Sequence, residues 1–187
     1  MTVKASNLAC NAVTRNVADC TPGACNGSQH GNTLESERIR AKIVKIAKSL
    51  LDSPYIWNSV QPYKGSHCAM CGLTPYKLAG CVPEGVQLPT EHRDWLLGKN
   101  VDPVIFRRYI TQFGAPVAFD DRQTADLVTF LYNGIESHCG IIVQMDPDYI
   151  IHNPSGGTVR FQRLLQVPSL KTVYRANIIL ELEANGR

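Results

Sequence analysis

The chain has 187 residues, with 19 Lys plus Arg against 16 Asp plus Glu for a formal charge of +3, and with 44% apolar and 19% charged residues. This composition excludes wholesale disorder, and the small charge excess without a basic stripe excludes a nucleic-acid protein. No apolar run approaches the ~18 residues that a membrane span needs.

Residues 1–31 read as an arm, rich in Asn, Thr, Ser, Gly and Ala and nearly free of large apolar side chains. They lack an apolar stretch ahead of a small-residue cleavage site, so the expected product is cytosolic or carried by a larger particle. Cys10, Cys20, Cys25 and His30 are soft metal-ligand types there, at spacings that match no standard zinc or cluster pattern. The seven cysteines are an odd number, which fits a disulfide framework poorly.

The rest, 32–187, reads as one domain. Ile39, Ile43, Ile46, Ala47 and Leu50 recur at helical spacing, with Arg38, Arg40, Lys42, Lys45 and Lys48 facing elsewhere. They predict a helix over 33–52, opened by a capping box of Asn32 and Glu35 and closed by Pro54. An irregular loop follows over 53–67. Residues 68–80 predict a second helix ending at Gly80, with Pro75 either kinking it or dividing it in two. A third helix is expected over 102–113, with Asp102 as N-cap and Pro103 at N1.

After Gly114 the period changes. Strands are expected at 126–132, 139–145, 149–153, 158–162 and 175–183, separated by hairpin-type breaks. Helices first and a sheet afterwards is the pattern of an α+β domain.

The chemistry-bearing residues are thiols and imidazoles. Cys68 opens a predicted helix, whose N-terminus favours a thiolate. His138 and His152 fall on adjacent strands across a tight turn, which would set them side by side. Nucleophile, base and orienting group is the arrangement that thiol-based acyl transfer requires. A different reading of the same region is a metal site. His67, Cys68 and Cys71 form H-C-x2-C, with Cys81 further on, so Cys68, Cys71 and Cys81 could hold zinc or an iron–sulfur cluster. A third reading is plain core thiols.

The segments SPYIW (53–57), PTEHRDW (89–95), ADLVTF (125–130), His138 to Ile141 and IIHNPSGG (150–157) resemble the NlpC-type papain-like cysteine peptidases, most of all those of phage tails and gene-transfer particles. Tyr76 and Gly80, eight and twelve positions after Cys68, follow the same pattern. The resemblance covers about residues 39–165. It implies a helical lobe packed on an antiparallel sheet of about five strands. It also implies a cell-wall peptidase that needs no cofactor, with Cys68 as nucleophile, His138 as base and His152 orienting it. Tyr55 and His67 fall at substrate-side positions. The family has Asp where this chain has His67, and here Met70 and Pro75 also depart from its pattern. The implied substrate is the peptidoglycan stem peptide. The implied setting is a virion tail, with the arm contacting other tail proteins. The other function class is a non-enzymatic tail-tip structural protein with a degenerate papain-like fold, with or without a metal held by its cysteines.

Overall fold

Helix α1 (Gly27–Ser49) buries Ile43, Ala47 and Leu50, the stripe that its 3.6-residue period predicts. The computed structural model describes residues 27–56, 64–65, 68–86, 96–97, 100–132, 134–154, 156–167 and 169–186. The helix starts before the expected capping box, so Asn32 lies inside it and donates instead to Asn185 O at 3.3 Å. It also begins inside the segment assigned to the arm; Cys10, Cys20 and Cys25 lie outside the described residues. The helix ends at Ser49, and Pro54 forms a β-bridge with Thr158.

Helix α2 (Cys68–Ala79) runs through Pro75 as one element and stops at Gly80, whose φ of +87° suits a residue without a Cβ. A short ribbon, β1 (Leu96–Leu97) and β2 (Asn100–Val101), precedes α3 (Pro103–Ile110). Asp102 caps α3 by accepting from Val104 N at 2.8 Å and Ile105 N at 3.3 Å.

The six-stranded sheet contains β3 (Gly114–Val117), β4 (Leu127–Tyr132), β5 (Ile135–Gln144), β6 (Tyr149–His152), β7 (Arg160–Arg163) and β8 (Leu170–Ala176). Every pairing is antiparallel, and the order is β3-β8-β4-β5-β6-β7. The chain closes with helix α4 (Asn177–Asn185). The expected strand at 175–183 is therefore mostly helix, and the strand position is taken by 170–176. Ile179 is fully buried in the main core, and α4 packs on α1. That packing overrides the alternating pattern of LELE. With β3 added, the sheet has one strand more than expected.

The architecture is α+β, a helical lobe on one face of an antiparallel sheet. Leu127, Cys139, Ile141, Val143 and Ile151 meet α1 and α2 on that face, while Val128, Phe130, Ile142, Ile150 and Val173 form a second cluster. The two sets alternate along the strands, as the pleat requires. An ionic cluster ties the helices to the sheet. Asp126, fully buried, accepts from Arg175 Nε at 3.1 Å and Nη2 at 3.0 Å, and from Arg40 Nη1 at 3.4 Å. Glu183 of α4 pairs with both arginines, at 2.5 Å to Arg40 and 3.2 Å to Arg175. Arg40 is thus buried, not on the solvated face that its helical spacing suggests. No helix among the described residues is long and apolar enough to cross a membrane.

Candidate active site

Cys68 is the first residue of α2, and its sulfur donates to Ser137 O at 3.6 Å. The contact places the thiol beside the carbonyl that immediately precedes His138. The helix end is fixed by Cys139 on β5, whose thiol donates to Cys68 O at 3.5 Å and Ala69 O at 3.7 Å. A Cβ on Gly72 would lie 2.4 Å from Cys139 Sγ, so only glycine lets α2 come this close to the sheet.

His138 lies next to an irregularity in the β4–β5 register, between Phe130 and Leu131, where the partner of Phe130 is His138 and that of Leu131 is Glu136. Ser137 is the extra residue, and such a bulge re-aims neighbouring side chains. Glu136 anchors this stretch: it is buried, accepts from Thr129 Oγ1 at 2.7 Å and pairs with Arg107 of α3 at 2.5 Å. The His138 ring packs beside Phe130, centroids 5.8 Å apart.

His152 closes β6 opposite Gly140, two residues beyond His138 on the same face of β5. The rings meet edge to face, with His138 Nε2 and His152 Nδ1 2.8 Å apart. His152 Nε2 then lies 2.9 Å from Gln162 Oε1 on β7. Gln162 Oε1 also accepts from Arg160 Nη2 at 2.9 Å, and its Nε2 donates to Gln166 O at 3.3 Å. Register explains the convergence, because β7 pairs His152 with Arg160 and Ile150 with Gln162. Neither Arg160 nor Gln162 is marked in the sequence: TVRFQ reads only as a short strand.

Burial sets the electrostatics. It pushes the Cys68 thiol up to about 11, against the smaller opposing pull of the helix-end amides of Cys68 and Ala69. The expected depression of this thiol by the helix terminus is therefore outweighed. His138 is pushed down to about 3 by burial, then by His152 and Arg160. His152 is also lowered, first by burial, although its bond to Gln162 works the other way. Burial thus favours the neutral form of the thiol and of both imidazoles.

The other expected residues fall as follows. Tyr55 is half-buried, and its backbone N–H donates to Gly157 O at 2.9 Å, in the turn after His152. His67 lies outside the described residues. Cys68, Cys71 and Cys81 do not make a metal site. Cys71 is fully buried in the core, and Cys81 follows the far end of a helix that is ~18 Å long at 1.5 Å per residue. Among the described residues no three His, Cys, Asp or Glu side chains are grouped to hold a metal ion.

No family model and no curated protein matches the sequence. Solved structures do match. An NlpC/P60 family protein from Bacillus cereus aligns at 20% identity over 73% of this chain and 39% of its own, with a TM-score of 0.52. The P60 domain of an antigen from M. avium paratuberculosis aligns at 10% identity over 77% of this chain and 96% of its own, TM-score 0.50. The peptidoglycan hydrolase RipB from Mycobacterium tuberculosis aligns at 14% identity over 83% of this chain and 73% of its own, TM-score 0.50. At such identities the likeness defines the fold, and the chain has the NlpC/P60-type, cysteine-peptidase-like fold. It spans 39% of the length of the Bacillus cereus protein.

Proposed function

We propose that the protein is a cysteine peptidase that hydrolyses amide bonds of peptidoglycan stem peptides. The observations that carry this reading are two: the helix-end thiol of Cys68 sits at the backbone carbonyl of Ser137, the residue before His138, and the His138 ring meets His152. Cys68 attacks the scissile carbonyl carbon as its proton passes to His138 Nδ1, giving a tetrahedral intermediate and an imidazolium. The first N–H groups of α2 have no partner within the helix, and this reading assigns that of Cys68 to the developing oxyanion. Collapse expels the amine, which takes the proton from His138, and leaves a thioester. Water then attacks the thioester carbon as the same nitrogen takes its proton, and cleavage of the C–S bond releases the acid and the Cys68 thiolate, which recovers the proton from His138. His152 holds His138 in position throughout. Because the resting pair is neutral, proton transfer accompanies attack and does not precede it. Tyr55 and His67 are the substrate-side residues in this reading.

The substrate class is supported by the printed identity of RipB as a peptidoglycan hydrolase and by the motif likeness around Cys68, His138 and His152. The phage-tail setting, with residues 1–31 as the contact to other tail proteins, rests on motif likeness alone. Mass spectrometry of purified particles tests it.

One second reading is wall binding without cleavage: the thiol of Cys68 is bonded to the Ser137 carbonyl, and burial raises its pKa. Purified sacculi incubated with wild type and Cys68→Ala separate the two. Release of soluble stem fragments by wild type and not by the variant supports the peptidase. Equal sedimentation of both with the wall, and no release by either, supports the binding protein.

A further inference from the structure

We propose that Gln162 is the positioning residue that decides which nitrogen of His138 carries the proton. The inference rests on the peptidase reading for its catalytic meaning, and on geometry alone for the proton arrangement.

The argument starts from Arg160 and Gln166. Arginine can only donate, and a backbone carbonyl can only accept. Arg160 Nη2 lies 2.9 Å from Gln162 Oε1, and Gln166 O lies 3.3 Å from Gln162 Nε2. Turning the amide over would set donor against donor at one end and acceptor against acceptor at the other. The side-chain oxygen therefore faces His152 Nε2, 2.9 Å away. An oxygen acceptor requires His152 Nε2 to carry hydrogen. A neutral His152 then has a bare Nδ1, which can only accept. Its neighbour at 2.8 Å, His138 Nε2, must donate. A neutral His138 with hydrogen on Nε2 has its lone pair on Nδ1. In the peptidase reading, that is the nitrogen that takes the proton of Cys68.

The order runs Arg160, Gln162, His152, His138, each fixing the next. Burial keeps both imidazoles neutral near neutral pH, which the argument requires. Arg160 is the charged group that acts on both rings, and it opposes their protonation. Gln162 is half-buried on β7, the outer strand of the sheet.

The test is 15N NMR of histidine-labelled full-length protein, which distinguishes the two ring tautomers directly. In wild type His138 should carry hydrogen on Nε2 in about tenfold excess, the effect of one oriented hydrogen bond. Gln162→Met keeps the shape and removes the acceptor. It should bring the two His138 tautomers toward equal populations and lower kcat about tenfold with KM unchanged. Gln162→Glu keeps the acceptor but adds a negative charge that raises the pKa of His152. Once protonated, His152 donates from both nitrogens, and His138 must switch its hydrogen to Nδ1. The variant should thus match wild type at alkaline pH, switch tautomer on acidification, and lose activity at a higher pH than wild type does. It also serves if Gln162→Met does not fold. A wild-type His138 protonated on Nδ1, or a tautomer ratio indifferent to both substitutions, overturns the inference. The expected tautomers without hydrolysis by any form would leave the proton arrangement standing and overturn the peptidase reading.

Discussion

Gly140 and His152 face each other across β5 and β6 with no room for another carbon: a Cβ on Gly140 would lie 3.0 Å from His152 Cβ and 3.0 Å from Ile151 O. The glycine two residues after His138 is what lets His152 lie close enough to reach it. Gly140→Ala should therefore destabilise the fold by ~1–3 kcal/mol through overpacking. Activity should fall by about 10²-fold, the usual cost of a ~1 Å misplacement. Urea unfolding and stem-peptide cleavage measure the two, and an alanine variant with wild-type turnover contradicts the proposed role of His152.

Cys68 should alkylate slowly at neutral pH. Its pKa of about 11 leaves little thiolate, and the labelling rate should climb about tenfold per pH unit until that value is approached. The sequence alone suggests the opposite: a helix terminus favours the anion and so fast labelling at neutral pH, and a protonated His67 beside it would extend that labelling below about pH 6. Iodoacetamide rates from pH 6 to 11, located by peptide mapping, decide between them. A midpoint below pH 8 contradicts the dominance of burial.

Acid should destabilise the protein through His138. Its folded pKa of about 3 lies below the ordinary value of 6.5, so between those values the unfolded chain binds a proton that the folded chain refuses. The resulting stability is present in full above about pH 6.5 and is lost as the pH falls toward 3. The urea midpoint of wild type should fall more steeply across that window than that of His138→Gln. Parallel slopes would show that the ring is protonated without penalty.

Asp126→Ala should be among the most damaging substitutions outside the site. It strips Arg40 and Arg175 of their shared carboxylate while both remain buried, and removing one partner of such a cluster costs ~3–5 kcal/mol. Chemical denaturation checks this. A loss below about 1 kcal/mol would mean that Glu183 and the carbonyls of Thr124 and Asp121 satisfy both guanidinium groups without it.

Local signals made much of the framework legible. The Asp102–Pro103 start of α3 and the Gly80 end of α2 are set by a few neighbouring atoms, and both stand where their residue types predict. His138 and His152 could be placed side by side because two short β-rich runs flank a tight turn. The α4 segment reads as a strand in the sequence because Ile178, Ile179, Leu180 and Leu182 suit either element, and only packing on α1 and the pairing of Glu183 with Arg40 and Arg175 decide. Gln162 could not be found at all. A glutamine in a short strand carries no signature, and its position depends on the β6–β7 register. The Cys68 thiol departs from the sequence expectation for a related reason: the helix terminus is visible in sequence, whereas the depth at which Cys139 and Gly72 seat it is not.

The sheet order also bears on how the molecule assembles. The proton-handling residues, from His138 to Gln162, lie on β5, β6 and β7, which are consecutive in the chain and neighbours in the sheet. Pairings of such short reach close small loops and form early. Cys68 arrives from a distant part of the sequence, and its place depends on α2 docking against Cys139. By contact separation alone, the imidazole pair is expected to form ahead of the docking of α2 that brings in the thiol, and amide protection during refolding should appear in β5 and β6 before it appears in α2.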